Sequence, residues 1–195
     1  MNSVSVVIPV YNGEFVVKNA INSALAQEEV LEVICINDGS TDKSLAVLDS
    51  INNPRVKVFS IKNSGASYAR NFGAMKAKSN YIAFLDADDY YLQNRFCKQL
   101  PIMVDNKKKL SISSVLVTSM DNDFIYNFSK SKFSSLSAGN KIKAIFGQFL
   151  TMNTPTIIVE KDFFFSLGGF DTTLSLREDH KFIIEALRVE DIHIE

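Results

Sequence analysis

Four short apolar segments, each closing on a turn and followed by residues at helical spacing, predict an α/β fold: a mostly parallel open sheet with helices on both faces. Two further observations support this. The segments are apolar at consecutive positions, as suits strands covered on both sides, and polar residues collect where they end. With 195 residues and 46% apolar side chains, the chain has material for one domain, residues 1–195, with a sizeable core.

Residues 4–10 are rich in β-branched side chains and predict the first strand. Asn12-Gly13 breaks it, and Phe15, Val16, Ala20, Ile21 and Leu25 follow at helical spacing. Residues 31–37 predict the second strand, and Asp38-Gly39-Ser40-Thr41-Asp42 supplies a turn and caps for a helix running to Ile51. Residues 56–61 form the third and lead through Asn63-Ser64-Gly65 into a helix carrying Ala66, Ala69, Phe72, Met75 and Ala77. The fourth, residues 81–85, runs straight into Asp86-Ala87-Asp88-Asp89, with a helix expected from about Gln93 to Val104. Beyond residue 105 the pattern is less regular. Residues 112–118, 124–128 and 156–159 suggest strands, residues 141–149 and 178–188 helices, and the Ser-rich stretch 129–137 a mobile loop.

A formal charge of −1 gives no long-range field for nucleic acid or an anionic bilayer, and no nucleic-acid partner is expected. No apolar run reaches the ~20 residues of a membrane span, and residues 1–4 lack the features of a signal peptide, so a soluble, cytoplasmic chain is expected. Cys35 and Cys97 are far apart and belong to no Cys-x-x-Cys pair; both are expected to be buried free thiols. Lys107-Lys108-Lys109 reads as a solvated turn after a helix.

In open parallel sheets, ligands bind beyond the carboxyl ends of the strands. Those ends carry Pro9 and Tyr11, then Asp38, Gly65, and finally Asp86, Asp88 and Asp89. An aspartate after a strand is commonly a turn former, so Asp38 alone proves little. Three carboxylates within four residues repel one another, and a divalent cation resolves the conflict. Mg²⁺ and Mn²⁺ prefer oxygen ligands and combine one or two carboxylates with phosphate oxygens. Extended backbone would project Asp86 and Asp88 to one side, whereas a turn would let one meet the metal and the other a ribose; the spacing leaves these roles unassigned. The competing reading is a solvated acidic turn capping the next helix.

The segments Val4-Ser5-Val6-Val7-Ile8-Pro9-Val10-Tyr11-Asn12, Ile36-Asn37-Asp38-Gly39-Ser40-Thr41-Asp42, Asn63-Ser64-Gly65-Ala66-Ser67-Tyr68-Ala69-Arg70-Asn71 and Phe84-Leu85-Asp86-Ala87-Asp88-Asp89 resemble, in this order, family 2 glycosyltransferases with the GT-A fold. Gly168-Gly169-Phe170-Asp171 and Glu178-Asp179 resemble that family's acceptor-side block. The resemblance implies a nucleotide-sugar-binding half over about 1–105 and an acceptor-side half over about 106–195. It implies Pro9, Tyr11 and Asp38 around a base, usually uracil, with Asp38 accepting from its ring N–H, and Arg70 near the nucleotide. Gly65 would allow close backbone approach or a positive φ. Asp86 would reach ribose or metal, Asp88 would bind a Mn²⁺ or Mg²⁺ ion bridging the diphosphate, and Asp89 would cap a helix. Asp179 would be the catalytic base.

The activity so implied is inverting, hexosyltransferase-type transfer from a UDP-sugar to a glycan or lipid-linked saccharide in polysaccharide synthesis. Processive synthases of the family carry a Gln-x-x-Arg-Trp block, and this chain has no Trp, so addition of one sugar is favoured. Family members commonly continue past the acidic pair, so the resemblance leaves open a truncated C-terminus and peripheral attachment to the inner face of a membrane through that further region. A domain that binds nucleotide without turnover is the alternative. A sugar nucleotidyltransferase fits less well, because Tyr11-Asn12-Gly13-Glu14 stands where it would need a Gly-rich phosphate loop.

Overall fold

The computed structural model describes residues 2–113, 115–118, 123–126, 137–146, 153–189 and 192–194. Its first half alternates strand and helix as the pattern predicts: β1 (Val4–Val10), α1 (Val17–Leu25), β2 (Val30–Asp38), α2 (Ser44–Asp49), β3 (Val56–Ile61), α3 (Ala66–Lys76), β4 (Tyr81–Phe84) and α4 (Arg95–Asp105). There follow β5 (Leu110–Ile112), β6 (Val115–Thr118), β7 (Asp123–Tyr126), α5 (Ala138–Phe146), a 3₁₀ turn at Thr154–Thr156, β8 (Ile157–Glu160), α6 (Lys161–Ser166), α7 (Glu178–Val189) and β9 (His193–Ile194).

Seven strands form one sheet in the order β3-β2-β1-β4-β8-β5-β9. Pairings are parallel except that β8 runs antiparallel to both β4 and β5. The expected strand over 112–118 is in fact two, because β6 leaves the main sheet and pairs with β7 as a separate ribbon. The Ser-rich stretch before Ser137, and the ends expected at 127–128 and 147–149, lie outside the described residues.

Alternate residues of each strand serve opposite cores. Val7, Ile34, Ile36, Ile82, Phe84, Ile157 and Val159 pack with α3, α6 and α7, while Val6, Ile8, Val33, Cys35, Ala83, Leu85 and Ile158 pack with α1, α2 and α4. On the first face Phe84, Phe164, Phe170 and Phe182 cluster with ring centroids 4.9–5.3 Å apart. Helix α3 sits tightly on β1 and β2 because Gly73 faces them: a Cβ there would run into Val7 and come within 3.2 Å of Ile36 Cγ1. At the amino-terminal edge, buried Glu32 accepts from Ser5 Oγ at 2.9 Å and Lys78 N at 2.7 Å, closing that end.

Three local expectations need correction. Phe15 is 89% exposed and precedes α1, whose buried stripe is Val17, Ala20, Ile21 and Ala24. The N-cap of α4 is Asn94, so Asp89 caps no helix; its N–H instead donates to the Asp86 carbonyl at 3.1 Å in a turn. Cys97 is exposed on α4, whereas Cys35 is buried and its thiol pushed up to about 12 by burial. Among the described residues, no helix is long and apolar enough to cross a membrane.

Adding a methyl at Gly73 should cost about 1–3 kcal/mol through overpacking. In urea unfolding Gly73→Ala is therefore expected to be destabilised, whereas Gly139→Ala, on α5 with nothing within 4 Å of the new Cβ, should be neutral or stabilised. A thiol-reactive dye should label Cys97 rapidly in the folded protein and Cys35 only after denaturation, since the thiolate is the reacting form.

Candidate functional site

The sheet opens between β1 and β4. Their pairing ends at Val7 with Phe84, and Leu85 N donates to Val7 O at 3.0 Å as the last rung. Because residues of a strand face their two neighbours alternately, Val7 and Pro9 both address the β4 side. Proline has no N–H to leave unpaired, so it occupies the position where β1 has lost its partner. The chain reverses direction of growth at this same place, β2 and β3 lying on one side of β1 and β4 on the other.

A cleft of about 340 Å³ fills the opening. Pro9, Tyr11, Asn12 and Gly13 from the end of β1, Asp38 from β2, Ala66 and Arg70 from α3, and Asp86 and Asp88 after β4 stand on its walls. The structure thus brings together Pro9, Tyr11, Asp38, Arg70, Asp86 and Asp88. Gly65 is not on the wall; it holds φ at +88° with nothing within 4 Å of a notional Cβ, so it is required for its backbone conformation rather than for close approach. Asp179 is not on the wall either.

Asp38 is 3% exposed, and its two oxygens accept the N–H groups of Ser64 at 2.7 Å and Gly65 at 2.9 Å. It therefore fastens the β3–α3 turn to the end of β2. Asn12, at φ +53°, does the same between β1 and α2: its Oδ1 accepts from Thr41 N at 2.8 Å and its N–H donates to Ser40 Oγ at 3.1 Å. In the sequence Asn12 belongs to a turn signal and closes the first family-like segment, but no contact of its side chain can be read there. Asp42, expected as a cap, lies just outside α2 and accepts from Ser44 N at 2.9 Å; despite some loss of water, the Ser44 bonds hold its carboxyl below the usual range.

Arg70 is the most heavily committed side chain here. Only 5% exposed, it donates from Nη2 to Asp86 Oδ1 at 2.5 Å and from Nη1 to Glu178 Oε1 at 2.7 Å, and lies 5.8 Å over the Phe170 ring. Burial works against its charge, but Asp86 and then Glu178 more than offset that and raise its pKa. Strand parity explains the first contact: Asp86 continues the series Ile82, Phe84, which faces α3. Glu178 was named in the sequence only as the neighbour of Asp179.

Asp179 follows Glu178 in the first turn of α7. Its Oδ1 accepts from His180 N at 2.7 Å and lies 2.9 Å from His180 Nδ1, and its Oδ2 is 3.5 Å from Thr154 Oγ1. The glycine-rich block is fixed from α3: Asn71 Oδ1 accepts from Phe170 N at 2.9 Å and Asn71 Nδ2 donates to Phe170 O at 2.7 Å. Gly169, at φ +71°, leaves room for that amide. Asp171 caps the same block, with bonds from Lys181 and then Thr173 holding its carboxyl well below the ordinary range.

Among the described residues, no three metal-ligating side chains converge as a preformed cage. Asp86 gives one oxygen to Arg70 yet remains 31% exposed, and Asp88 beside it lines the cleft. Asp89 has its carboxyl pushed up to about 6, first by reduced hydration and then by the neighbouring charges of Asp86 and Asp88. Two accessible carboxylates fit a hard cation that completes its shell with phosphate and water, and not one enclosed by protein.

The model of the family described as "Glycosyl transferase family 2" matches residues 5–167. An uncharacterized glycosyltransferase of Haemophilus influenzae is 31% identical over 96% of this chain and 73% of its own length. One of Rickettsia typhi is 30% identical over 98% of this chain, which spans 61% of that relative. Among solved structures, S. aureus TarS 1–349 superimposes with a TM-score of 0.79 at 22% identity, covering 99% of this chain and 58% of that one, and has also been solved with UDP and with UDP-GlcNAc.

Removing Arg70 strands two carboxylates. Arg70→Ala is expected to lose about 3 kcal/mol in chemical denaturation, the low end of the range for a broken buried pair because Asp86 is partly solvated. Arg70→Lys should recover little, since one ammonium cannot reproduce the fork that serves both acids.

Proposed function

The chain belongs to glycosyltransferase family 2, and from that membership we propose that it moves a sugar from a UDP-sugar to the hydroxyl of a glycan or lipid-linked saccharide, with inversion at the anomeric carbon. The observation that carries the reading is the cleft at the β1/β4 opening, where Pro9, Tyr11 and Asp38 share one space with Arg70, Asp86 and Asp88. Pro9 and Tyr11 offer apolar surface to a base. Asp38 has lone pairs beyond those used by Ser64 and Gly65, and so accepts from the base's ring N–H. Helix α3 begins at Ala66 on the cleft wall with no side-chain cap, and its first N–H groups favour a diphosphate. The complexes of TarS with UDP and UDP-GlcNAc support uridine as the nucleoside.

Asp86 and Asp88 would hold Mn²⁺ or Mg²⁺, which when bound offsets negative charge on the departing diphosphate. Arg70 keeps Asp86 in place for that role. Asp179 takes the proton from the acceptor hydroxyl as its oxygen bonds to the anomeric carbon. The carbon–oxygen bond to the diphosphate breaks on the opposite face, and UDP leaves with the electron pair. The bonds from His180, with Thr154 near the other oxygen, keep the Asp179 carboxylate oriented. A positioned proton acceptor of this kind contributes typically ~10²–10⁴-fold.

Calorimetry and thermal shift with UDP and UDP-sugars, with and without Mn²⁺, test the donor site; at ~100 times Kd a ligand should stabilise the fold by about 2.7 kcal/mol. Asp88→Ala is expected to lose the Mn²⁺-dependent part of binding. Asp179→Asn should bind donor normally and transfer no sugar, and full transfer by this variant would overturn its assignment as base. Failure of UDP to bind at all would overturn the donor site.

A further inference from the structure

We propose that Glu178 is a positioning residue, which through Arg70 sets the first turn of α7, and hence Asp179, according to whether the Asp86 side of the cleft is occupied; this rests on the donor-site reading above. Three features carry it. First, Arg70 spans elements far apart in sequence, using one terminal nitrogen for Asp86 after β4 and the other for Glu178 at the start of α7. Its Nε is buried with no partner among the described residues, so the two carboxylates are what hold this guanidinium.

Second, the turn that delivers Glu178 is strained. Arg177, with a full side chain, holds φ at +64°, a region such residues enter only when their surroundings insist. The next residue is the one Arg70 grips, and the first helical bond after it runs from Lys181 N to Arg177 O at 3.1 Å. Third, the two acids differ in access: the Asp86 side chain is 31% exposed toward the cleft and Glu178 15%. A ligand or cation drawing on Asp86 therefore competes for negative charge at one end of the guanidinium, and Arg70 then leans more fully on Glu178. That tightens the first turn of α7 when donor is present and leaves it looser when donor is absent.

A purely structural salt bridge would not produce such dependence on occupancy. The test is hydrogen exchange at the backbone amides of residues 179–182, in the 195-residue chain, with and without UDP plus Mn²⁺, binding being checked independently by calorimetry. In wild type, UDP plus Mn²⁺ should slow exchange there several-fold; in Glu178→Ala the slowing should vanish although UDP still binds. Transfer kinetics should split in parallel. Glu178→Ala is expected to lose kcat by about 10²-fold, the scale of a misplacement near 1 Å, with donor KM changed less than about threefold. Glu178→Gln, which keeps an acceptor for Arg70 Nη1, should recover about tenfold of that loss, and carries the comparison if the alanine variant does not fold. If UDP binds but wild-type exchange does not change, or if Glu178→Ala keeps the slowing, the coupling is overturned and the donor site stands. If UDP does not bind, both fall.

Discussion

A buried guanidinium organises the carboxyl edge of this sheet. Arg70 arises from the middle of α3, on the face that packs against the sheet, and a charge placed there must be neutralised or the helix cannot settle. Its two acids come from the loop after β4 and from the start of α7, so satisfying Arg70 also fixes where those two segments lie. Pairs of this kind add little net stability compared with an apolar replacement. What this one adds is geometry: α3, the loop after β4 and the start of α7 are registered through one planar group.

The rest of the edge follows the same logic of side chains tying strand ends to neighbouring loops. Asp38 holds the β3–α3 turn, Asn12 joins the β1 and β2 ends, and Asn71 brackets the Phe170 backbone. The opposite edge is sealed around Glu32. The sheet is therefore closed at one end and polar and open at the other, and the cleft lies where β1 and β4 part.

Much of this was legible beforehand. Local pattern placed β1 through β4 and their helices, since each element draws on contiguous residues, and the motifs named six residues that do meet in one cleft. Periodicity found the inward side of α3 only in part: Ala69 and Ala77 are buried and Phe72 packs against the core, but Met75 is exposed, and Arg70, Gly73 and Ala74 complete the buried stripe. Small residues there mark close packing, and Arg70 lies in line with them; that was the available signal. The Glu178 contact could not be read, because it joins positions 108 residues apart and depends on α7 being folded against α3. The same holds for β8, whose antiparallel place between β4 and β5 is a tertiary fact. Asp89 lies too far before Asn94, the N-cap of α4, to cap that helix, and Cys97 falls outside its buried stripe of Phe96, Gln99, Leu100 and Met103.

Pro9 carries one more consequence. Where β1 runs on past its β4 partner, its backbone resembles a free sheet edge, the kind of surface on which a stray extended segment can add itself as a new strand. An ordinary residue facing that gap would offer an amide to begin such a ladder. Proline offers none, so the mouth of the cleft stays open to small molecules while refusing foreign backbone, and the protein gains protection from self-association at the very place where its sheet must remain incomplete.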